Sequence, residues 1–191
     1  MLVVADVHLG KVNHFRKNGI AVPSRADDRN VEILVTLIEL ARPERVLFLG
    51  DLFHSRFNFG WEAMKQITGY FNQISFELVL GNHDILANIH YEQSGIKVQR
   101  SGITEPPFIF THHPLDDVPP ARYNIAGHVH PGVVLRSKGK QGVKIPCFYF
   151  SGHQAICPAF GVFTGLCAVQ PRKTDRIFAV VNNEVIEVTV K

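Results

Sequence analysis

The chain has 191 residues, of which 46% are hydrophobic and 19% charged, and its formal net charge is +3. These proportions are typical of a folded globular protein and exclude a disordered one. The length suits a single core, so we expect residues 1–191 to form one domain. Ten histidines, against one tryptophan and two methionines, are the unusual feature of the composition.

The sequence carries no sign of a membrane or secreted protein. It has no run of about 18 apolar residues that would span a bilayer. Met1 is followed directly by LVVADV, which is too short and too soon acidic for a signal peptide. Cys147, Cys157 and Cys167 are odd in number and lack CxxC spacing, so we expect small buried residues of a reducing compartment. The sequence therefore predicts a cytoplasmic protein.

The first half of the chain alternates strand-like and helical segments. Buried-strand patterns occupy residues 2–6, 45–51 and 76–82, and apolar residues at helical spacing occupy 28–41 and 61–74. A βαβαβ order implies right-handed crossovers and a parallel sheet. Ligands of such sheets bind outside the carboxyl ends of the strands. We therefore expect the side chains that follow these three strands to meet in space.

The second half consists of shorter segments divided by glycine and proline. Residues 107–114 and 122–132 have the pattern of strands that end in histidines. Residues 132–150 and 176–190 have the pattern of hairpins. We expect an α/β arrangement that gives way to α+β, with a two-layered β-core and helices outside.

Polar motifs follow five of the predicted strands. They are Asp6-x-His8, Gly50-Asp51-x-x-His54, Gly81-Asn82-His83-Asp84, Thr111-His112-His113 and Gly127-His128-x-His130. Carboxylate oxygens, an amide oxygen and imidazole nitrogens, without thiolates, suit divalent ions such as Mn²⁺, Fe or Zn²⁺. One ion needs about four to six ligands. The larger set here favours two ions that share a bridging carboxylate.

Each motif alone has a purely structural alternative. An Asp-x-His pair at a strand end can be a turn with a hydrogen-bonded core histidine. Asp51 can be a helix N-cap, and the Gly-Asn pair can form a β-turn. The five motifs in this order, each at a strand end, favour a metal centre over these alternatives.

In this order, the motifs resemble those of the calcineurin-like metallophosphoesterase superfamily, over residues 6 to 130. The resemblance implies a calcineurin-like four-layer β-sandwich of two mixed sheets flanked by helices. It implies a metal-dependent hydrolase that acts on phosphodiester bonds. It also implies two ligand sets joined by a bridging carboxylate: Asp6, His8 and His130 for one metal, Asn82, His112 and His128 for the other, and Asp51 between them.

The same resemblance implies catalytic roles. His83 would approach the scissile phosphate, and Asp84 would hold the His83 ring. His54, in GDLFH, resembles a histidine that contacts substrate phosphate in related exonucleases, and its alternative is a hydrogen bond to a metal ligand. In THHP we choose His112 as the ligand because it stands at the end of the strand, with His113 as the alternative.

A more distinctive stretch, ADVHLGKVNHFRKNGIAVPS (5–24), resembles the bacterial and archaeal ligase-associated DNA damage response endonucleases. PAFGVFTG (158–165) supports this resemblance. The resemblance implies DNA as a partner, and a DNA ligase or helicase of the same repair system. Members of this group carry a short segment before the first strand, whereas here Met1 nearly abuts it. Missing residues before Met1 are therefore an alternative.

Basic residues follow directly on the first metal-bearing strand end. Lys11, Arg16, Lys17 and Arg25 can line the cleft and hold phosphates that flank the reacting one. The alternative is an exposed basic loop without a role in binding. We predict two divalent ions, with Mn²⁺ as the first choice and Fe, Zn²⁺ or Ni²⁺ as alternatives, because the ligand types permit several metals.

Two other functions compete with DNA cleavage. The first is a phosphoesterase for a small molecule, such as a cyclic nucleotide or a phosphomonoester. The second is a scaffold that shares the fold without catalysis. The scaffold is disfavoured because every ligand position of the motifs is filled, including His83.

Overall fold

The structure, a computed structural model, describes residues 1–11, 26–54, 60–136, 142–182 and 184–189. Its helices are α1 (Ala26–Ala41), α2 (Gly60–Tyr70) and α3 (Asn88–Gln93). The strands of the first half are β1 (Leu2–Val4), β2 (Arg45–Leu49), β3 (Ser75–Val79) and β4 (Lys97–Gln99). Those of the second half are β5 (Ile103–Glu105), β6 (Phe108–Thr111), β7 (Tyr123–Ala126), β8 (Pro131–Arg136), β9 (Gly142–Phe150), β10 (Gln154–Ile156), β11 (Cys167–Ala168), β12 (Arg176–Val181) and β13 (Glu184–Val188).

The first sheet has the strand order β1-β2-β3-β4, and all of its pairs are parallel. Val3 of β1 pairs with Leu47 of β2, and Leu47 pairs with Glu77 of β3. The predicted βαβαβ order and parallel sheet are confirmed. The carboxyl ends of β1, β2 and β3 therefore lie at one edge, as the sequence led us to expect.

The first sheet is buried on both faces, and successive side chains of β2 point alternately into two cores. Val46 and Phe48 belong to a core that includes Leu34 of α1 and Met64 of α2. Residues on the other face, such as Leu47, pack in a second core that includes residues of the second sheet. Successive side chains of a strand point to opposite faces, which accounts for the two cores.

The second sheet is mixed and has the order β11-β8-β9-β10-β7-β6-β5, with β12 on β9 and β13 on β12. The pairs β6–β7 and β7–β10 are parallel, whereas β8–β9 and β12–β13 are the antiparallel hairpins predicted from the sequence. Because β6 and β7 run in the same direction, their carboxyl ends also share an edge. Phe110 of β6 packs with Leu49 of β2 between the two sheets.

The predicted fold class, α/β with two packed sheets, is confirmed. In the part of the chain that the structure describes, helices flank the first sheet. There the apolar residues of all three helices, such as Ile38, Ile67 and Tyr91, pack on the outer face of the first sheet. The described layers are therefore helices, first sheet and second sheet.

The strands β1 and β2 end earlier than their apolar patterns suggested. The predicted strand 2–6 ends at Val4, and the predicted strand 45–51 ends at Leu49. Backbone conformation gives the reason, since φ is 55° at Asp6, 78° at Gly50 and 50° at Asp51. Left-handed residues cannot continue a strand, so the motif residues form turns beyond the sheet edge.

Sequence reasoning missed the short elements α3, β4, β5, β10 and β11. Each strand among them has two or three residues, too few for a recognisable alternation. β10, for example, forms by pairing with β7, which is distant in sequence, and with β9, which precedes it across a turn. None of the described helices is long and apolar enough to cross a membrane.

The three cysteines are free, but they do not share one environment. Cys147 is buried and Cys157 half-buried, and burial raises their thiol pKa values to about 11 and about 12. Cys167 lies exposed in β11. The expectation of small buried residues is therefore wrong for Cys167, because β11 is a short strand whose residues are both exposed.

Candidate metal centre

The polar motifs of the two sheets meet beyond the carboxyl ends of β1, β2 and β3 in the first sheet and of β6 and β7 in the second. His8, which follows β1, has its Nε2 atom 3.4 Å from Nε2 of His130, which follows β7. Asn82, which follows β3, has its Oδ1 atom 3.1 Å from Nε2 of His112, which follows β6. The fold thus joins side chains that are far apart in sequence.

The first group, which we call the first half-site, consists of Asp6, His8 and His130. His130 Nε2 lies 3.4 Å from Asp6 Oδ1. The candidate ligand atoms of all three residues lie within 4.8 Å of one another. Asp6 and His8 are buried, whereas His130 is half-buried.

The second group, the second half-site, consists of Asn82, His112 and His128. His112 Nε2 lies 3.2 Å from His128 Nδ1 as well as close to the Asn82 amide oxygen. His112 is buried, whereas Asn82 and His128 are exposed. The half-site therefore opens to solvent on the same edge.

Asp51 lies between the two half-sites. Its Oδ2 atom is 3.9 Å from His8 Nε2, and its Oδ1 atom is 3.5 Å from His112 Nε2. Oδ1 also accepts a hydrogen bond from the backbone N–H of His83 at 2.9 Å. The carboxylate is buried and directs one oxygen to each half-site.

Backbone carbonyls orient two of the imidazoles. His112 Nδ1 lies 2.8 Å from the Leu49 carbonyl oxygen, and His130 Nδ1 lies 3.2 Å from that of Gly165. A carbonyl can only accept, so each ring donates from Nδ1 and keeps the lone pair of Nε2 for a metal. Metal-binding histidines are commonly held in this way.

The pKa values of His8 and His128 are lowered. The pKa of His8 is lowered to about 2, first by burial and then by the charge of Lys11 and neighbouring histidines. Burial, followed by His113 and His112, also lowers the pKa of His128. A neutral imidazole has a free lone pair at neutral pH, so these rings need not lose a proton to bind a metal.

Glycines next to the ligands leave no room for a side chain. A Cβ atom on Gly50 would overlap the ring of His112, and one on Gly81 would overlap the Asp51 carboxylate. A Cβ on Gly127 would lie 2.7 Å from Asp6 Oδ2. The motif glycines therefore allow the backbone of one strand end to approach the ligand of another.

These observations together fit a site for divalent metals. The donors are carboxylate, amide and imidazole groups, the mixed oxygen and nitrogen set that such ions accept. The buried carboxylates of Asp6 and Asp51 lie close to neutral imidazoles and need positive charge nearby. Bound cations would supply it.

His83 and His54 lie together above the first half-site. Their rings stack with centroids 5.0 Å apart and an interplanar angle of 18°. His54 Nδ1 is 3.4 Å from Nδ1 of His8, and both rings are half-buried. His54 thus has contacts for either role left open by the sequence, hydrogen bonding to a ligand or facing the substrate beside His83.

The Asp84 carboxylate accepts hydrogen bonds from the backbone of two loops. Its Oδ1 accepts the N–H of Phe53 and its Oδ2 the N–H of Gly81, each at 2.9 Å. Burial raises the Asp84 pKa to about 7, although these amide hydrogen bonds act to lower it. Asp84 therefore joins the loop after β3 to the loop after β2, and its predicted hold on the His83 ring stays a prediction.

The two histidines of THHP differ in burial. His112 is 2% exposed and faces Asp51 and Asn82, whereas His113 is exposed. The His113 ring lies 4.0 Å from that of His128, centroid to centroid. His112, His113 and His128 also have ligand atoms within 4.8 Å of one another, so His113 stays an alternative ligand of the second half-site.

Of the predicted substrate-binding residues, the structure describes Lys11. Its side chain is half-buried, and burial lowers its pKa while the charges of Asp51 and Asp6 act to raise it. The Lys11 ammonium thus lies in the field of the metal-centre carboxylates. Arg16, Lys17 and Arg25 lie outside the described residues.

Sequence reasoning missed the supporting groups of the site. The carbonyls of Leu49 and Gly165 carry no side-chain signal. Asn30 was identifiable in principle, since it lies on the apolar stripe of α1 four residues before Leu34 and eight before Ile38. A polar residue on such a stripe indicates a specific hydrogen-bonding role.

Comparison with known proteins assigns the class. The family profile of calcineurin-like phosphoesterases matches residues 1–125. The chain belongs to this family, and it is a metal-dependent phosphoesterase, a hydrolase. The resemblance in the strand-end motifs is thereby confirmed. No curated protein sequence matches the chain significantly.

Solved structures share the fold. The crystal structure of the nuclease MPE from Pseudomonas putida aligns with a TM-score of 0.79 and 26% identity, over 97% of this chain and 86% of that one. The phosphoesterase Yfce from E. coli aligns with a TM-score of 0.52 and 12% identity, over 100% of this chain and 98% of that one. At that identity the second likeness concerns the fold alone.

The contact of Gly50 with His112 leads to a testable expectation. Gly50→Ala adds a Cβ into the imidazole and places alanine at φ 78°. The ring must move away from the second half-site, so we expect about 10- to 100-fold weaker metal binding there. Isothermal titration of the metal-free protein with Mn²⁺ measures this affinity. Gly69→Ala in α2, where a Cβ meets open space, is the matched control, and equal affinities in both variants would contradict the expectation.

Proposed function

We propose that the protein is a dinuclear-metal phosphodiesterase that cleaves DNA. The observation that carries the proposal is the position of Asp51, with one carboxylate oxygen directed to His8 and the other to His112. A carboxylate between two imidazole-bearing half-sites is the arrangement that two ions sharing one ligand require. Mn²⁺ suits this oxygen and nitrogen donor set, and Fe, Zn²⁺ or Ni²⁺ are alternatives.

Hydrolysis of a phosphodiester forms a bond from phosphorus to a water oxygen and breaks the bond to the leaving oxygen, which takes up a proton. When bound, divalent ions supply a hydroxide near neutral pH and neutralise charge on the phosphate oxygens. The chain contributes the imidazoles and carboxylates that hold them. His83, half-buried at the open side of the centre, is positioned to stabilise the developing charge or to protonate the leaving oxygen.

Three features support DNA as the substrate. The likeness to the nuclease MPE covers nearly the whole chain. The segment 11–25 carries Lys11, Arg16, Lys17 and Arg25 directly after the first half-site. A phosphodiester gains from such neighbouring cations only within a polymer, because a small diester has no flanking phosphates for them to contact.

The wider context of the proposal rests on the sequence. A role in DNA repair beside a DNA ligase or helicase follows from the resemblance of residues 5–24 alone, and a cytoplasmic location follows from the cysteine usage. We propose one catalytic domain over residues 1–191, because the centre draws ligands from both sheets: Asp6 follows the first sheet and His130 the second.

A panel of metals and substrates tests the proposal. We expect no activity after chelation and the best recovery with Mn²⁺, on single-stranded DNA and on bis-p-nitrophenyl phosphate. Monoester and cyclic nucleotides are the comparison substrates. Full activity in EDTA after dialysis would remove the two-metal mechanism. Cleavage of cyclic nucleotides or monoesters without any DNA cleavage would assign the protein to small-molecule hydrolysis.

The roles of His83 and Asp51 are separable by substitution. His83→Ala keeps the backbone N–H that bonds Asp51, so we expect retained metal and turnover lower by about 100-fold or more. Asp51→Asn removes the shared charge, so we expect lost metal. Metal content and turnover on the small diester measure both effects. His153→Ala, exposed and outside the centre, controls for loss of an imidazole, and a reversed pattern would refute these roles.

The basic segment has its own test. The double variant Arg16→Ala, Lys17→Ala should cleave DNA more weakly and the small diester normally, because only DNA offers flanking phosphates. The log–log salt dependence of binding to single strands should flatten by about 0.7 per lost contact. Lys65→Ala, Lys97→Ala makes the same charge change at exposed positions of α2 and β4. Equal losses on both substrates would mean that the segment acts structurally.

A further inference from the structure

A loop from the second half of the chain lies against the first half-site. This loop, residues 160–165, is called the support loop here and forms most of the PAFGVFTG stretch. The N–H of Phe160 donates to the carbonyl of Ala5 at 2.9 Å, and that of Gly161 donates to the carbonyl of Asp6 at 3.1 Å. The support loop therefore runs beside the backbone that carries Asp6.

Gly161 is the point of closest approach. A Cβ atom there would lie 2.6 Å from the carbonyl oxygen of Val7 and 3.2 Å from that of Asp6. Both neighbours are backbone atoms, which cannot swing aside as a flexible side chain can. A side chain at residue 161 would thus push the support loop away from the turn that carries Asp6 and His8.

The other end of the support loop holds the third ligand. The Gly165 carbonyl oxygen lies 3.2 Å from Nδ1 of His130. Just beyond the loop, the N–H of Cys167 donates to the His130 carbonyl at 2.9 Å. The support loop therefore contacts both segments that form the first half-site: the backbone of the Asp6–His8 turn and the ring of His130.

Asn30 of α1 fastens the support loop to the Asp6–His8 turn. Its side chain is 4% exposed. The Nδ2 group donates to the Val7 carbonyl at 3.3 Å, and Oδ1 accepts the N–H of Val162 at 3.2 Å. One buried amide thus satisfies two backbone groups from segments that are distant in sequence, and its loss would leave both without that partner.

We propose that Asn30 is a positioning residue for the first half-site, acting through the support loop. The second half-site has a different support, since His112 is held by the Leu49 carbonyl. Loss of the Asn30 side chain should therefore act first on the half-site that the support loop contacts. This inference rests on the dinuclear centre of the proposed function.

Mn²⁺ titration of the metal-free protein by calorimetry tests it, with thermal unfolding recorded in parallel. For Asn30→Ala we expect one dissociation constant to rise by about 10- to 100-fold, with the other unchanged. Two reference variants show which binding step belongs to which half-site: His130→Ala removes a ligand of the first, and His112→Ala removes a ligand of the second. Asn30→Ala should weaken the same binding step that His130→Ala removes.

Asp175→Ala is the matched control. Asp175 is also buried and accepts two hydrogen bonds, from Tyr149 Oη and the Arg172 N–H, each at 2.7 Å. The Asp175→Ala substitution should lower the unfolding temperature and leave both metal affinities unchanged. Gly161→Ala provides an independent variant, which should weaken the same half-site by displacing the support loop from Val7.

The possible results separate the two proposals. If Asn30→Ala destabilises the protein as Asp175→Ala does but keeps both affinities, its role is structural only and the inference fails. An equal loss at both half-sites, or an isotherm like that of His112→Ala, also overturns it. If the unaltered protein binds fewer than two Mn²⁺ ions, the dinuclear centre itself fails, and the inference with it.

Discussion

The chain must turn sharply where it leaves each sheet, and the metal centre depends on those turns. The left-handed conformation occurs at Asp6, His8, Asp51, His128 and His130, with φ between 50° and 67°. For residues other than glycine this conformation costs about 1–2 kcal/mol each. The turns are held because they bond to one another: the His8 N–H donates to the Asp51 carbonyl at 2.8 Å, and the His128 N–H donates to the Asp6 carboxylate at 2.9 Å. Strain concentrated at the ligands is common at functional sites.

Electrostatics impose a second condition on the same residues. Asp6 and Asp51 are buried carboxylates, and burial of a charge is costly unless opposite charge lies nearby. The pKa of His8 is lowered to about 2, first by burial and then by Lys11 and neighbouring histidines, so the His8 imidazole does not neutralise these carboxylates. The arrangement favours bound cations over protonated histidines, which couples metal binding to the stability of the strand-end turns.

The fold and the centre define the class of chemistry, whereas the substrate is selected elsewhere. A nuclease and a phosphoesterase of other organisms share this fold with TM-scores of 0.79 and 0.52. Parallel strands bring the ligands to one edge whatever the substrate. Selection then falls to the loops around that edge.

The sequence by itself determined the fold class, the parallel first sheet and the ligand types of the centre. These follow from local signals: apolar runs identify β1, β2 and β3, and polar residues directly after them must share an edge. Only the tertiary structure decided how each ligand is held. Asp84 bonds to backbone amides from two loops, and Asn30 joins α1 to the support loop. The strands β10 and β11 likewise exist through their partners. Contacts of this kind join segments far apart in the chain, and many involve backbone groups that every residue carries, so no local pattern can specify them.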